Sequence, residues 1–283
     1  MSKRTKKLSK RNTRKWILSA VVITAVVLIG AVLGTVIGAI LNIPAWSPET
    51  LYGSETTTLY DRSGNAFYSL HAEENRIQVP LSLIPQHLRE AFIAIEDQQF
   101  YQHHGINPIA IGRAIIVDIM KGEKAQGAST ITQQLAKNAF LYPDKTWERK
   151  IKEMILAFQL ESKYSKDEIL EFYLNRIYFG SGAWGVQTAS QTYFGKDVDQ
   201  LSLAESALLA GVVRRPNAYS PFKNPDLAKS RQRVVLNSMV DCGFITQQEA
   251  DEAYEQELHY KEPVKSRSQY GFFVDYVVDE AER

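Results

Sequence analysis

Glu96-Asp97-Gln98-Gln99-Phe100-Tyr101-Gln102-His103-His104-Gly105 closes a run in which Leu88, Ala91, Phe92 and Ile95 recur at i, i+3, i+4, i+7. That is the spacing of one helix face. The pattern predicts an amphipathic helix from Pro85 onward with Glu96 at its end rather than inside a loop. Further along, Asn107-Pro108 reads as a cap followed by proline at the first helical position. Ser165 with Glu168, Ser202 with Glu205 and Thr246 with Glu249 each match the capping box. Asn224-Pro225 opens another helix, expected to stop near Gly243. A helix starting after Thr146 carries an apolar stripe of Ile151, Met154, Ile155 and Phe158. These signals predict a mainly α body.

Upstream, residues 55–80 are rich in Thr, Tyr and Val and enclose Asp61-Arg62-Ser63-Gly64-Asn65. This reads as a small hairpin. From Trp16 to Ile43 no residue is charged. As a helix this run would span about 42 Å, more than the roughly 30 Å of a bilayer's hydrocarbon. It is too long for the core of a cleaved signal. Residues 1–15 hold eight Lys and Arg and no acid, which predicts a cytoplasmic tail, with everything after Pro44 outside. Gly30, Gly34 and Gly38 repeat at a spacing that permits close helix approach, although glycine is common in membrane helices.

The 33 basic and 32 acidic residues nearly cancel, but the tail takes eight of the basic ones and leaves the body acidic by seven. A nucleic-acid enzyme shows its basic surface on the folded domain, so that class is set aside. The single cysteine, Cys242, excludes an intrachain disulfide and reads as a buried thiol. No Cys/His spacing suited to a metal is present.

Two carboxylates, a polar loop and a basic cluster share one segment. After Glu96 come Gly127-Ala128-Ser129-Thr130-Ile131-Thr132-Gln133-Gln134-Leu135-Ala136-Lys137-Asn138 and then Arg149-Lys150-Ile151-Lys152-Glu153. Forming a glycosidic bond by displacement needs a base for the attacking hydroxyl, and a departing diphosphate needs positive charge. Glu96 is a candidate base, and Lys137, Arg149, Lys150 and Arg113 are candidates for the phosphate side. Arg149 and Lys150 sit four and three residues before Glu153, so the three can share a helix face. Spacing alone equally fits an exposed helix with ordinary ion pairs. The Ser129–Gln134 run fits a helix N-cap and fits a ligand-receiving helix start.

The ordered motifs Glu96-Asp97-x-x-Phe100-x-x-His103-x-Gly105, Gly127-x-Ser129-Thr130-Ile131-Thr132-Gln133-Gln134-x-x-Lys137-Asn138 and Arg149-Lys150-x-x-Glu153 resemble the peptidoglycan glycosyltransferase domain of class A penicillin-binding proteins and their monofunctional relatives. The resemblance continues through Lys166-x-x-Ile169-Leu170-x-x-Tyr173-Leu174-Asn175, Tyr178-Phe179-Gly180, Tyr193-Phe194-Gly195-Lys196 and Arg215-Pro216-Asn217-Ala218-Tyr219-Ser220-Pro221.

The resemblance implies a mainly α, lysozyme-like domain over residues 55–245, with a small membrane-proximal hairpin or jaw, behind one transmembrane helix at 16–43. Residues 246–283 would form a terminal helix and the start of a linker toward a transpeptidase domain. It implies polymerisation of lipid II by an inverting transfer that expels undecaprenyl pyrophosphate. Glu96 would be the base. Glu153, Arg149, Lys150 and Lys137 would organise the pyrophosphate, with a divalent cation (Mg or Mn). Ser129, Thr130, Gln133, Gln134, Asn138 and Arg113 would contact substrate, and Asp97, Phe100 and His103 would support the site. Implied partners are lipid II, the growing glycan chain, the membrane and other cell-wall synthesis proteins.

Three rivals stand beside this reading. Ser220-Pro221-Phe222-Lys223 matches the Ser-x-x-Lys of an acyl-transfer centre, but Lys-Thr-Gly is absent. A glycan-cleaving hydrolase would use Glu96 as an acid but has no diphosphate for a basic cluster to meet. A membrane-tethered scaffold would need none of the motifs intact.

Overall fold

The computed structural model describes residues 2–44, 47–53, 57–60, 62, 66–70, 75–121, 127, 129–141 and 146–261. Apart from Arg62, the predicted turn at 61–65 lies outside them, as does the apolar stretch from Tyr270. The elements run α1 (Ser2–Leu41), α2 (Pro48–Tyr52), β1 (Thr57–Tyr60), β2 (Ala66–Leu70), β3 (Asn75–Arg76), α3 (Gln86–Glu96), α4 (Pro108–Lys121) and α5 (Ile131–Phe140). There follow α6 (Trp147–Lys163), α7 (Lys166–Arg176), β4 (Tyr178–Gly180), β5 (Ala183–Trp184), α8 (Val186–Tyr193), α9 (Leu203–Val212), α10 (Pro225–Asp241) and α11 (Gln247–Glu255).

The body is mainly α, as the periodicity predicts. α9 is apolar almost all round, and every residue from Ala204 to Val212 is buried. A helix without a polar face belongs in the centre, and α3 and α10 both pack on it and on each other. A second layer pairs α5 with α6 and α7. Phe92 of α3 joins the layers, its ring meeting Tyr173 at 6.1 Å and Phe179 at 6.0 Å, both edge-on. Such offset aromatic contacts add to plain area burial.

The helix starts follow the capping signals. Thr130, Ser165, Ser202 and Thr246 each close a capping box, with Gln133, Glu168, Glu205 and Glu249 as partners. Asn107 Oδ1 accepts from the Ala110 amide at 2.9 Å. α10 begins at Pro225 and ends at Asp241, as Asn224-Pro225 and Gly243 predict, and the Asn224 side chain donates to Ala218 O at 3.2 Å without capping the helix.

The stripe predicted for α6 is corrected. The buried face carries Glu153, Leu156, Ala157 and Leu160, while Phe158 is exposed and Ile151, Met154 and Ile155 are half-buried. Leu156, Ala157 and Leu160 are as apolar as the predicted stripe, and Glu153 joins their face because cations meet its charge there. The predicted hairpin is present as antiparallel β1 and β2, with Thr57 opposite Leu70. A three-stranded sheet in the order β3-β5-β4, its β3–β5 pair parallel, was not foreseen. Strands of two or three residues leave no periodic trace.

Residues Trp16–Leu41 form a helix long and apolar enough to cross a membrane. Its described side chains are exposed along most of its length, but Ala39 is fully buried and α1 packs against α6. Two arginines hold the linker beyond it. Arg76 Nη1 donates to Tyr52 O at 2.9 Å. Arg176 donates from Nη1 to Thr50 O at 2.7 Å and from Nε to Asn138 O at 3.1 Å. Arg176 thereby ties the end of α5 to the segment leaving the membrane helix.

Candidate active site

Glu96 is the last residue of α3, and the chain then leaves the helix at Asp97 with φ −159°. The half-buried carboxylate of Glu96 accepts from Gln134 Nε2 at 2.8 Å. Gln134 Oε1 in turn accepts from the Tyr173 hydroxyl at 3.3 Å. Tyr173 is fully buried, and burial together with the charges of Glu96 and Asp97 holds its phenol well above the usual range. Tyr173 therefore stays a neutral donor and fixes which way the Gln134 amide points.

Asp97 is buried and bridges two segments. Its Oδ2 accepts from the Ile131 amide at 3.0 Å, at the first turn of α5, and from His103 Nε2 at 2.8 Å. A carboxylate on an amide at a helix start is favourable in charge as well as in hydrogen bonding. Phe100 is wholly buried, with Lys166 Nζ 4.6 Å above its ring. Gly105 has a φ of +83°, and a Cβ there would come 3.0 Å from the Ala157 backbone. Only glycine lets this loop lie on α6.

Thr130 and Gln133 are largely committed to holding the start of α5. Thr130 Oγ1 donates to Gly105 O at 2.6 Å and accepts from the Gln133 amide, while Gln133 Oε1 accepts from the Thr130 amide. The buried Gln133 Nε2 has no partner. Asn138 is exposed, and its carbonyl takes the Arg176 bond.

The basic cluster is more than a row of surface ion pairs. Glu153 is 2 % exposed. Arg149 Nη1 pairs with its Oε1, and Lys150 Nζ lies 2.8 Å from its Oε2 and 2.7 Å from Ser129 Oγ. Burial, then the neighbouring charges of Arg149 and Lys137, bring the Lys150 ammonium down to about 8. Lys137 is lowered by burial and by Arg149, with Glu96 pulling the other way. The influence of both Glu96 and Arg149 on Lys137 ties the isolated carboxylate to the cationic cluster.

A cleft of about 270 Å³ opens beside Glu96. Glu96, Asp97, Arg113, Ser129 and Thr130 line it, as does Ser238 of α10. Lys137, Arg149 and Lys150 stand beyond this lining, and Ser129 joins the two regions by accepting from Lys150. The structure thus brings Glu96, Gln134, Lys137, Ser129, Arg149, Lys150 and Glu153 into one connected set. Arg113 is exposed at the cleft wall.

Two residues given no site role by the sequence belong to this neighbourhood. One is Tyr173, noted only as part of a family pattern. The other is Arg231 of α10, 7 % exposed, whose guanidinium lies 5.9 Å from the Tyr219 ring and whose stem and backbone lie against Gly211. Burial and Arg214 lower its pKa, opposed by Glu96 and Tyr219. A charged residue on a buried helix face was the available signal.

Glu153 has Arg149 and Lys150 on its two oxygens, and among the described residues no three His, Cys, Asp or Glu converge.

The sequence profile of the Transglycosylase family matches residues 63–240. The chain therefore belongs to the transglycosylase family. It is 46% identical over 230 residues to penicillin-binding protein 1F of Bacillus subtilis (strain 168), covering 80% of this chain and 32% of that protein. It is 52% identical over 182 residues to penicillin-binding protein 1A of Escherichia coli (strain K12), covering 64% and 21%. The chain thus spans about a third or less of the length of these curated relatives. A crystal structure of penicillin-binding protein 1A from Haemophilus influenzae aligns with a TM-score of 0.45 at 23% identity, covering 80% of this chain and 24% of that one. At that level it adds nothing to the family assignment.

Proposed function

We propose that this chain is a membrane-anchored peptidoglycan glycosyltransferase that polymerises lipid II. The observation carrying the proposal is that one helix, α5, serves both halves of a displacement. Its Gln134 holds the Glu96 carboxylate, and its Lys137 feels the charges of both Glu96 and Arg149. In this reading Glu96 takes the proton from the 4-hydroxyl of the acceptor sugar as that oxygen bonds to the donor's anomeric carbon. The anomeric C–O bond to phosphate breaks, and its electron pair leaves on the polyprenyl diphosphate. The anomeric centre inverts to a β-1,4 link. Lys137, Arg149 and Lys150 neutralise the departing charge, and Glu153 orients the last two. Asp97 and His103 fix the turn behind Glu96.

A divalent cation (Mg or Mn) would be held on the diphosphate side, beside Glu153, and would supply further positive charge for the departing group. The basic tail supports a cytoplasmic N-terminus and a catalytic body on the outer face. The growing lipid-linked glycan is the second substrate, and other cell-wall synthesis proteins are the expected partners.

Labelled lipid II, assayed with and without Mg²⁺, tests the reading. Wild-type chain should produce long glycan, and Glu96→Gln should produce none while keeping its melting temperature within a few degrees. A cleaving enzyme would instead shorten finished glycan and leave lipid II untouched. A scaffold would support growth equally well with Glu96→Gln.

A further inference from the structure

A second cavity, of about 300 Å³, lies where the membrane helix meets the body. Asn42 and Pro44 bound it just past α1, Phe140 and Leu141 at the end of α5, and Arg149 and Lys152 on the first turns of α6. Its depth follows from α1. The 26 residues from Trp16 to Leu41 rise about 39 Å as a helix, enough to cross roughly 30 Å of hydrocarbon. The cavity beyond Leu41 therefore sits at the membrane surface. Ala39, buried against the body, keeps α1 docked there.

The chemistry of the walls is divided. Pro44, Phe140 and Leu141 are apolar and half-buried. Lys152 is already neutralised by Glu148 at 2.8 Å, so the cavity is no trap for a free anion. Arg149 belongs to two places at once, because the side chain that pairs with Glu153 in the catalytic cluster also lines this cavity. The cavity therefore shares Arg149 as a wall with the cluster proposed to meet the departing diphosphate.

We infer that this cavity holds the phosphate-proximal isoprene units of the leaving polyprenyl diphosphate. The diphosphate stays on Arg149 and its neighbours, the first hydrocarbon passes over Phe140 and Leu141, and the rest runs out beside α1 into the bilayer. The membrane helix is then one wall of the leaving group's exit as well as a tether. This inference rests on the glycosyltransferase reading above.

The test uses the full chain in liposomes. A polyprenyl diphosphate with a diazirine on its first isoprene unit should label Phe140, Leu141 or the Asn42–Pro44 turn. Unlabelled polyprenyl diphosphate should compete, and phosphatidylglycerol should not. Leu141→Trp, which fills the cavity, should weaken inhibition by polyprenyl diphosphate roughly tenfold, or about 1.4 kcal/mol. Inhibition by inorganic pyrophosphate should not change. Labelling elsewhere, equal competition by phosphatidylglycerol, or equal effects of Leu141→Trp on both inhibitors would overturn the inference. If wild-type chain polymerises lipid II but the label misses the cavity, only this inference fails. If it does not polymerise lipid II at all, the reading beneath it fails.

Discussion

Gln134 Nε2 donates to Glu96 Oε2 at 2.8 Å, while the same amide's oxygen accepts from the buried Tyr173 hydroxyl at 3.3 Å. The proposed base is therefore oriented by a side chain that is itself oriented from the core. A hydrogen bond to a charged group contributes about 1.5–3 kcal/mol. Gln134→Ala should lower kcat by roughly tenfold or more and leave KM for lipid II nearly unchanged. Steady-state polymerisation kinetics check this, and an unaltered kcat would remove Gln134 from the machinery.

Glu153 is buried between Arg149 and Lys150, so its loss affects stability as well as chemistry. Removing one member of a buried pair costs about 3–5 kcal/mol, and partial solvent access to the two cations reduces this. Glu153→Gln should destabilise the fold by about 2 kcal/mol and depress polymerisation severely. Denaturant melts beside activity assays separate the effects, and a variant with wild-type activity would place Glu153 outside the site.

The depressed pKa of Lys150 has two consequences of opposite sign. Its ammonium is needed for the diphosphate, so activity should fall as pH rises through about 8. Stability follows the reverse course. The unfolded lysine holds its proton up to its ordinary value near 10.4, so the native state binds fewer protons above about pH 8. The penalty for burying this charge is full below pH 8 and is relieved between there and the ordinary value. Lowered Lys137 adds in the same direction. Lys150→Arg should push the alkaline limb of the rate profile upward, and an unmoved limb would assign it to another group.

Phe92 of α3 is fully buried and touches the rings of Tyr173 on α7 and Phe179 on β4. Truncating a core phenylalanine costs about 3–5 kcal/mol. Phe92→Ala should therefore lower the unfolding free energy by that amount, read by denaturant melts. A loss below about 1 kcal/mol, a full collapse of the site aside, would mean the layers are not joined there.

Much of this was legible beforehand because it is local. The spacing of Leu88, Ala91 and Phe92 places Glu96 at a helix end, and the Ser165, Ser202 and Thr246 boxes mark three helix starts. The i, i+3 and i, i+4 relation of Lys150 and Arg149 to Glu153 is likewise fixed by helix geometry. What stayed hidden depends on distant partners. Whether Glu153 faces water or core is decided by Ser129, Lys150 and Arg149 together, and the apolar stripe beside it pointed the wrong way. Arg231 and Tyr173 act on Glu96 from other helices, and Arg176 reaches carbonyls of Thr50, Leu51 and Asn138, far from it in the chain. No window of sequence contains such meetings.

Ala39 lies sealed against the body at the foot of the membrane helix, and Arg176 fastens the segment that follows. Cutting the chain at the bilayer boundary to obtain a water-soluble version would strip away a piece of the catalytic body's own masonry. Such a trimmed protein should be sticky where the helix had rested and slack at the end of α5. Its turnover in detergent-free buffer would then describe a damaged machine.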